Sequence, residues 1–383
     1  MPPPPIRTDG SNWFAANTMR VRVPAIIREA QTLTAVPGWL YDGLERLRES
    51  ILNDEPIPML PESSPDYDLW LEAFATHEGE TWLNAEWFYA EVYTYRLIVE
   101  AVKWHRSGID PFLPKKHREI AGENIKQAIQ QAVSVPPDNR LSDLLLAALW
   151  GNRVDLSYAV GTTHGAATDD DLLADDRAAV IEYLKGRSPG HIHLILDNAG
   201  TELALDLLLT DALFDMAERI TLHVKDHPTF VSDATRADVL AFLNEMAGRG
   251  SITKGYGAAA REAADRLQAA ILEDRLRIEP DRYWNSPYFL WQMPGRLTWQ
   301  FDEAALVIVK GDANYRRMTG DALWEPATPF ADVVSYFPAP LVGLRTGKSD
   351  TIVGLRPGVA ERLDAEQPDW RVNGKHGVIQ FKP

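Results

Sequence analysis

From residue 176 onward one unit recurs: a short apolar run that stops on polar groups, then a stretch with apolar residues at helical spacing. The run 191–196 ends at Asp197-Asn198-Ala199-Gly200, and 203–216, rich in Leu and Ala with acids on one side, reads as the helix that follows. A helix at 176–186 precedes it. Residues 220–225 predict a second strand, with a helix from about 234 to 247, and 258–276 another helix. Residues 306–310 and 339–345 predict two more strands, and 377–382 an edge strand. Alternation of this kind implies a parallel sheet with right-handed crossovers. Ligands of such sheets bind beyond the carboxyl ends of the strands.

Before residue 160 the pattern is helical. Residues 1–20, with four consecutive prolines, read as a loose arm, and 22–52 as helix with a break at Pro37-Gly38. Residues 82–105 form the densest aromatic stretch and predict one helix that is apolar on every side, hence buried. Glu91 and Arg96 lie inside it; a buried charge must be paired or line a site, and both readings stand. An amphipathic helix at 123–133 and a second at 141–149 run into Trp150-Gly151-Asn152-Arg153-Val154-Asp155-Leu156-Ser157. The acid-rich 161–175 reads as an exposed linker. The expected organisation is an arm (1–20), a helical cap (21–160), a linker (161–175) and an α/β domain (176–383), with cap and α/β domain packed as one unit.

Composition narrows the function. A formal charge of −16 and a pI near 5.0 argue against nucleic acid or an anionic membrane as partner. With no cysteine there is no disulfide, thiolate catalysis or Cys-ligated metal. The first ten residues lack an apolar run behind a basic start, so a cytoplasmic protein is expected.

The chemistry gathers at strand ends. Asp197 and Asn198 follow one strand, and Asp233 lies in the loop after its neighbour, so two acids converge as a Mg²⁺-like cation needs. The free N–H groups of the helix after Gly200 would favour an anion. In the alternative, Asn198 and Thr201 only cap that helix. Because Asp233 is assigned to a loop, its removal is expected to spare the fold. Other signatures fail: Val342 stands where a P-loop needs glycine, Ala199 where an Asp-x-Asp phosphatase needs its second acid, and no Gly-x-Gly-x-x-Gly follows a strand. His191 and His193 read as sheet packing, being too far from Asp197 to share its ion.

Six motifs in order complete the picture: Asn84-Ala85-x-Trp87 with Glu91 and Tyr95-Arg96; Trp150-Gly151-Asn152-x-x-Asp155-Leu156-Ser157; Asp197-Asn198-x-Gly200-x-Glu202; Phe230-Val231-Ser232-Asp233; Lys310-Gly311-Asp312-x-Asn314-Tyr315-Arg316; and Arg345-Thr346-x-Lys348. Together they resemble the damage-control phosphatase family, in its stand-alone branch with the Arg-Thr-x-Lys motif. The resemblance implies a three-layer α/β/α sandwich with a mainly parallel, Rossmann-like sheet and an N-terminal helical cap. It implies a metal-dependent phosphomonoester hydrolase that binds Mg, Mn, Co or Ni through Asp197, Asn198 and Asp233. Substrates would be small phosphorylated sugars such as fructose 1-phosphate and fructose 6-phosphate, held by Asp312, Asn314, Arg316 and Lys348. Lys348 joins the metal ligands as a catalytic group; Glu202, Tyr315, Arg345 and Thr346 complete the substrate-side motifs. Glu91, Arg96, Asn152 and Asp155 are outer pocket residues. Attack by water and attack by Asp197 to give an aspartyl-phosphate both remain open. Two other classes are weighed: an S-adenosylmethionine-dependent protein-glutamate methyltransferase, an activity also described in this branch, which lacks a glycine-rich loop here; and a non-catalytic sugar-phosphate-binding protein.

Overall fold

The computed structural model describes residues 2–33, 38–151 and 171–383. Seven strands form one sheet: β1 (Leu172–Asp175), β2 (Gly190–Ile195), β3 (Ala217–Lys225), β4 (Leu276–Asp281), β5 (Leu306–Lys310), β6 (Leu341–Thr346) and β7 (Gly377–Lys382). Their order is β1-β7-β6-β5-β2-β3-β4. The run from β6 to β4 is parallel; β7 pairs antiparallel with β6 and parallel with β1.

The central strands are buried on both faces because both faces are covered. On one, Ile192, Leu194, Leu222, Leu306 and Ile308 pack with helices that include Thr201–Leu213, Arg236–Met246 and Ala258–Leu272. On the other, Ile195, Val307, Val309 and Leu341 meet Trp284, Phe301, Tyr315, Met318 and Phe337. This is the expected α/β/α sandwich.

Several boundaries differ from the sequence reading. The end of the expected linker is strand β1, whose Leu173 is buried, and β1 covers β7, so β7 is not an edge. A four-residue strand beside an acid run carries too little periodicity to be legible. β4 follows directly on the Ala258–Leu272 helix as a half-buried edge strand, with Pro280 tolerated there. The arm is not loose. Ile6 is buried, its N–H donates to the Asp321 carbonyl at 2.9 Å, and its own carbonyl accepts from the Trp87 N–H at 2.9 Å.

The aromatic helix runs from Trp87 to Ala101 and is buried nearly all round; Lys103, in the left-handed region, separates it from a short helix at Trp104–Ser107. With the two helices Val23–Leu33 and Gly38–Leu52 it builds a separate core. The helices Glu123–Val133 and Arg140–Trp150 instead bury their apolar faces against Thr201–Leu213, so these elements of the expected cap belong to the sandwich. No helix among the described residues is long and apolar enough to cross a membrane.

His191 and His193 pack in the sheet beside His223: His193 Nδ1 lies 2.9 Å from His223 Nε2, and His191 Nε2 is 2.8 Å from the Thr221 hydroxyl. Burial pushes His191, His193 and His223 down to about 4, 2 and 3. In the unfolded chain each titrates near ~6.5, so below that pH the unfolded state binds more protons and stability falls as pH falls. Comparing urea unfolding of the wild type and His193→Phe at pH 6.5 and 4.5 is expected to show a smaller loss in the variant. The difference should be up to about 2.5 kcal/mol, one shifted group over two pH units. Equal losses would mean that His193 is not held neutral.

Candidate active site

The carboxyl ends of β2 and β3 are tied together by backbone. Asn198 and Asp233 form an antiparallel bridge. The Ala234 N–H donates to the Asp197 carbonyl at 2.7 Å, and the Ala199 N–H to the Ser232 carbonyl at 2.6 Å. This pairing brings Asp197, Asn198 and Asp233 into one buried cluster. The Asn198 amide donates to Asp197 Oδ2 at 2.7 Å and Glu202 Oε2 at 2.9 Å, while its Oδ1 accepts from the Ser232 hydroxyl at 2.5 Å. Gly311, at φ 85°, passes so close that a Cβ there would lie 2.0 Å from Asp197 Oδ2. That position can carry no side chain while Asp197 stays where it is.

Two lysines to which the sequence reading gave no role, Lys310 being quoted only within a motif, complete the cluster. Lys225 Nζ stands 3.4 Å from Asp233 Oδ2 and donates to the Trp284 carbonyl at 3.0 Å. Lys310 Nζ reaches Glu202 Oε1 at 3.0 Å and Asp206 Oδ1 at 3.2 Å, and donates to the Ala148 carbonyl. A signal was present: the expected strands 220–225 and 306–310 each end on a lysine, and a charge that closes a buried strand needs a partner. Among the described residues, Lys225 pairs with Asp233 and Lys310 with Glu202 and Asp206, while no cation lies within ion-pair distance of Asp197. Burial, then Asp233 and Glu202, push Asp197 well above the ordinary carboxylate value, with Lys225 and Lys348 opposing. Burial lifts Asp233 to about 6 and Asp206 to about 7, against Lys225 and Lys310 respectively. Burial likewise lowers Lys225 despite Asp233. Both members of that pair are driven toward neutrality, so the described residues leave Asp197 and Asp233 short of positive charge.

A divalent cation fits this shortage. Asp233 Oδ2 is buried and receives no hydrogen bond, and the Asn198 carbonyl oxygen, with one bond accepted, keeps a second lone pair. Among the described residues no three His, Asp or Glu side chains form a metal-binding group by themselves. The shell would therefore be two carboxylates and an amide oxygen, with water completing it, as hard octahedral ions accept.

Opposite the carboxylates lies the turn after β6. Asp312 Oδ1 accepts from Arg345 Nε at 2.7 Å, from the Lys348 N–H at 3.0 Å and from the Ser349 hydroxyl at 3.0 Å. Arg345 also donates to the Ser349 and Thr351 carbonyls, and Thr346 Oγ1 donates to the Leu149 carbonyl at 3.0 Å. These bonds fix the turn and present Lys348, half-buried, to a cavity of about 10 Å³ lined by Asp197, Glu202, Gly311, Asp312 and Thr346. That space admits an ion or one water. Among the described residues no carboxylate pairs with Lys348 Nζ. Burial opposes the charge on Asp312, yet Arg345 and Arg316 hold its pKa below the ordinary value, so it is an ionised acceptor. A groove of about 620 Å³ at the far end of the Thr201–Leu213 helix, bordered by Arg140, Leu208 and Arg266, holds none of these groups. Volume alone does not mark the chemistry.

The sequence profile of the damage-control phosphatase ARMT1-like domain matches residues 18–363. The chain belongs to the damage-control phosphatase ARMT1-like family. It is 31% identical to the damage-control phosphatase ARMT1 of Xenopus tropicalis, over 98% of this chain and 97% of that one. To the human protein of the same name it is 29% identical, over 88% and 85%. A DUF89 family protein from Pyrococcus horikoshii shares the fold, with a TM-score of 0.51, 16% identity and coverage of 97% and 99%.

Within this damage-control phosphatase fold the remaining motif residues take other places. Arg316 binds Glu91 at 2.6 Å and Asp321 at 2.7 Å, and stacks 3.7 Å from the Trp87 ring centroid. Arg96 is buried against Asp66 at 2.6 Å and Glu100 at 3.2 Å. The structural alternative for Glu91 and Arg96 is therefore the observed one. Asn314 donates to the Leu196 and Lys310 carbonyls at 3.0 and 2.9 Å, and the Tyr315 hydroxyl donates to Gln380 at 2.9 Å; both brace the sheet. Arg96, Asn314, Tyr315 and Arg316 are bonded within the protein and none of them lines the cavity, where substrate contacts were expected of them. Asn152 and Asp155 lie outside the described residues. Neither Asn198 nor Thr201 caps the Thr201–Leu213 helix: Gly200 is its N-cap, and the Thr201 N–H donates to Glu119 Oε1 at 2.8 Å. The anion expected at that helix end is a side chain of the protein itself.

Proposed function

We propose that this chain is a divalent-metal-dependent phosphatase of small phosphorylated sugars, of the fructose 1-phosphate and fructose 6-phosphate type, acting in metabolite damage control. The observation that carries the reading is a cavity of ion size lined by Asp197 and Lys348, with Asn198 and Asp233 buried and bonded beside Asp197. Asp197, Asn198 and Asp233 would hold Mn, Mg, Co or Ni. When bound, the ion supplies Lewis-acid neutralisation of the phosphoryl charge. Lys348 places a point charge on the phosphate from the other side. Asp312, ionised and with Oδ1 engaged by the turn, offers Oδ2 to a sugar hydroxyl. Glu202, held by Lys310, fixes the Asn198 amide, and Gly311 lets the backbone pass the Asp197 carboxylate. A sugar has to lie outside so small a cavity, with only the reacting group or the ion inside.

The test is turnover of a panel of sugar phosphates by the full chain with each of the four metals and with chelator. Metal-dependent release of phosphate is expected; equal rates in chelator would sink the assignment. Lys348→Ala should leave the melting temperature nearly unchanged and cut kcat/KM by ~10²-fold, the loss of about 3 kcal/mol of charge stabilisation in a dry site. Lys348→Arg should restore only part of it, since a planar fork does not reproduce a compact ammonium. Wild-type kinetics in Lys348→Ala would remove the residue from the site.

A further inference from the structure

The loop that delivers Asp233 carries backbone strain. Phe230 and Val231 have φ of 45° and 71°, and the Ser232 N–H donates to the Phe230 carbonyl at 2.9 Å, closing a γ-turn around Val231. A positive φ at a β-branched residue is a true outlier, and the positive-φ γ-turn is the rare, strained form. Such a state persists only where the surroundings impose it. Here the surroundings are the cap: Phe230 lies 4.9 Å from Tyr95 between ring centroids, and the buried Val231 is part of the cap's own apolar core. On the other side of the turn, Ser232 bonds Asn198 and Ala199, and Asp233 bridges Asn198.

We propose that Phe230 and Val231 are positioning residues: the aromatic face of the cap, pressing on these two side chains, holds the strained turn at 230–232 and so fixes Asp233 against Asn198 for the cation. The inference rests on the metal reading of Asp197, Asn198 and Asp233. It makes cation affinity depend on a cap contact that touches neither the ion nor the substrate.

The test is Mn²⁺ binding by titration calorimetry on the full chain, well below the melting transition, for wild type, Phe230→Ala, Phe230→Tyr and Val231→Gly. Val231→Gly is the decisive variant. Glycine adopts positive φ freely, so a turn held by backbone preference alone would keep or gain affinity. A turn held by its side-chain pegs loses it. Phe230→Ala and Val231→Gly are expected to weaken Mn²⁺ binding by about 10-fold or more, the usual scale for groups that orient metal ligands, and Phe230→Tyr to retain it. Wild-type affinity in Phe230→Ala and in Val231→Gly, or a fall in melting temperature with affinity unchanged, overturns the proposal. Retention in Val231→Gly alone removes Val231 from it, and should Phe230→Ala not fold, Val231→Gly decides. A wild type that binds no Mn²⁺ overturns the metal reading itself, and this inference with it.

Discussion

Asp233→Asn is expected to reduce metal-dependent phosphatase turnover by ~10³-fold or more, because it removes one of the two carboxylates proposed as ligands of the ion. Asn preserves the shape and the backbone bridge to Asn198. Its amide cannot replace the charge. Mn²⁺ affinity, measured by calorimetry, should fall together with turnover. Asp233→Ala should do more than this. Asp233 is buried against Lys225, itself 1% exposed, so the expectation from sequence that its loss would spare the fold does not survive. Removing one member of a buried pair costs about 3–5 kcal/mol when the other stays charged. Burial already lowers Lys225, which can shed its proton and soften the loss, so Asp233→Ala is expected at the low end of that range. Urea unfolding measures it. Full turnover in Asp233→Asn would dismiss the metal assignment, and an unchanged midpoint in Asp233→Ala would dismiss the pairing.

Arg316→Ala should destabilise the chain by about 3–5 kcal/mol, because it leaves Glu91 and Asp321 buried without their shared cation. The side chain is 3% exposed, binds Glu91 and Asp321 directly and lies over the Trp87 ring. Both carboxylates add to its attraction for the proton, although burial opposes it. Glu91 and Trp87 belong to the cap helix, and Arg316 to the Asp312–Thr319 helix of the sandwich. The loss should therefore appear as loosening of the cap, read by hydrogen exchange across Trp87–Ala101. Arg316→Lys should recover little, since an ammonium cannot bind two carboxylates and stack at once. A loss under about 1 kcal/mol would be the figure for an exposed pair and would contradict this fastening role.

The strand–loop–helix alternation after residue 176, the all-round burial of the aromatic helix and the gathering of Asp197, Asn198 and Asp233 at strand ends were all legible in the sequence. Each depends on local spacing: apolar periodicity states which faces are buried, and a strand's end states where its last polar groups must lie. β2, β5 and β6 were found for that reason; β1, too short, was not. Only the tertiary structure decided which charges meet. Lys310 and Glu202 are 108 residues apart, and Arg316 and Glu91 are 225 apart; no local pattern ties either pair. Arg316 could be read from its motif as a phosphate ligand, yet packing placed two carboxylates on it first. Lys348 was read the same way, and packing left it lining the cavity with no carboxylate within ion-pair distance of its Nζ among the described residues. Sequence spacing determines where a charge can be presented, whereas its energy is set by whatever counter-charge and solvent the folded chain leaves within a few ångströms, and that is a property of packing alone.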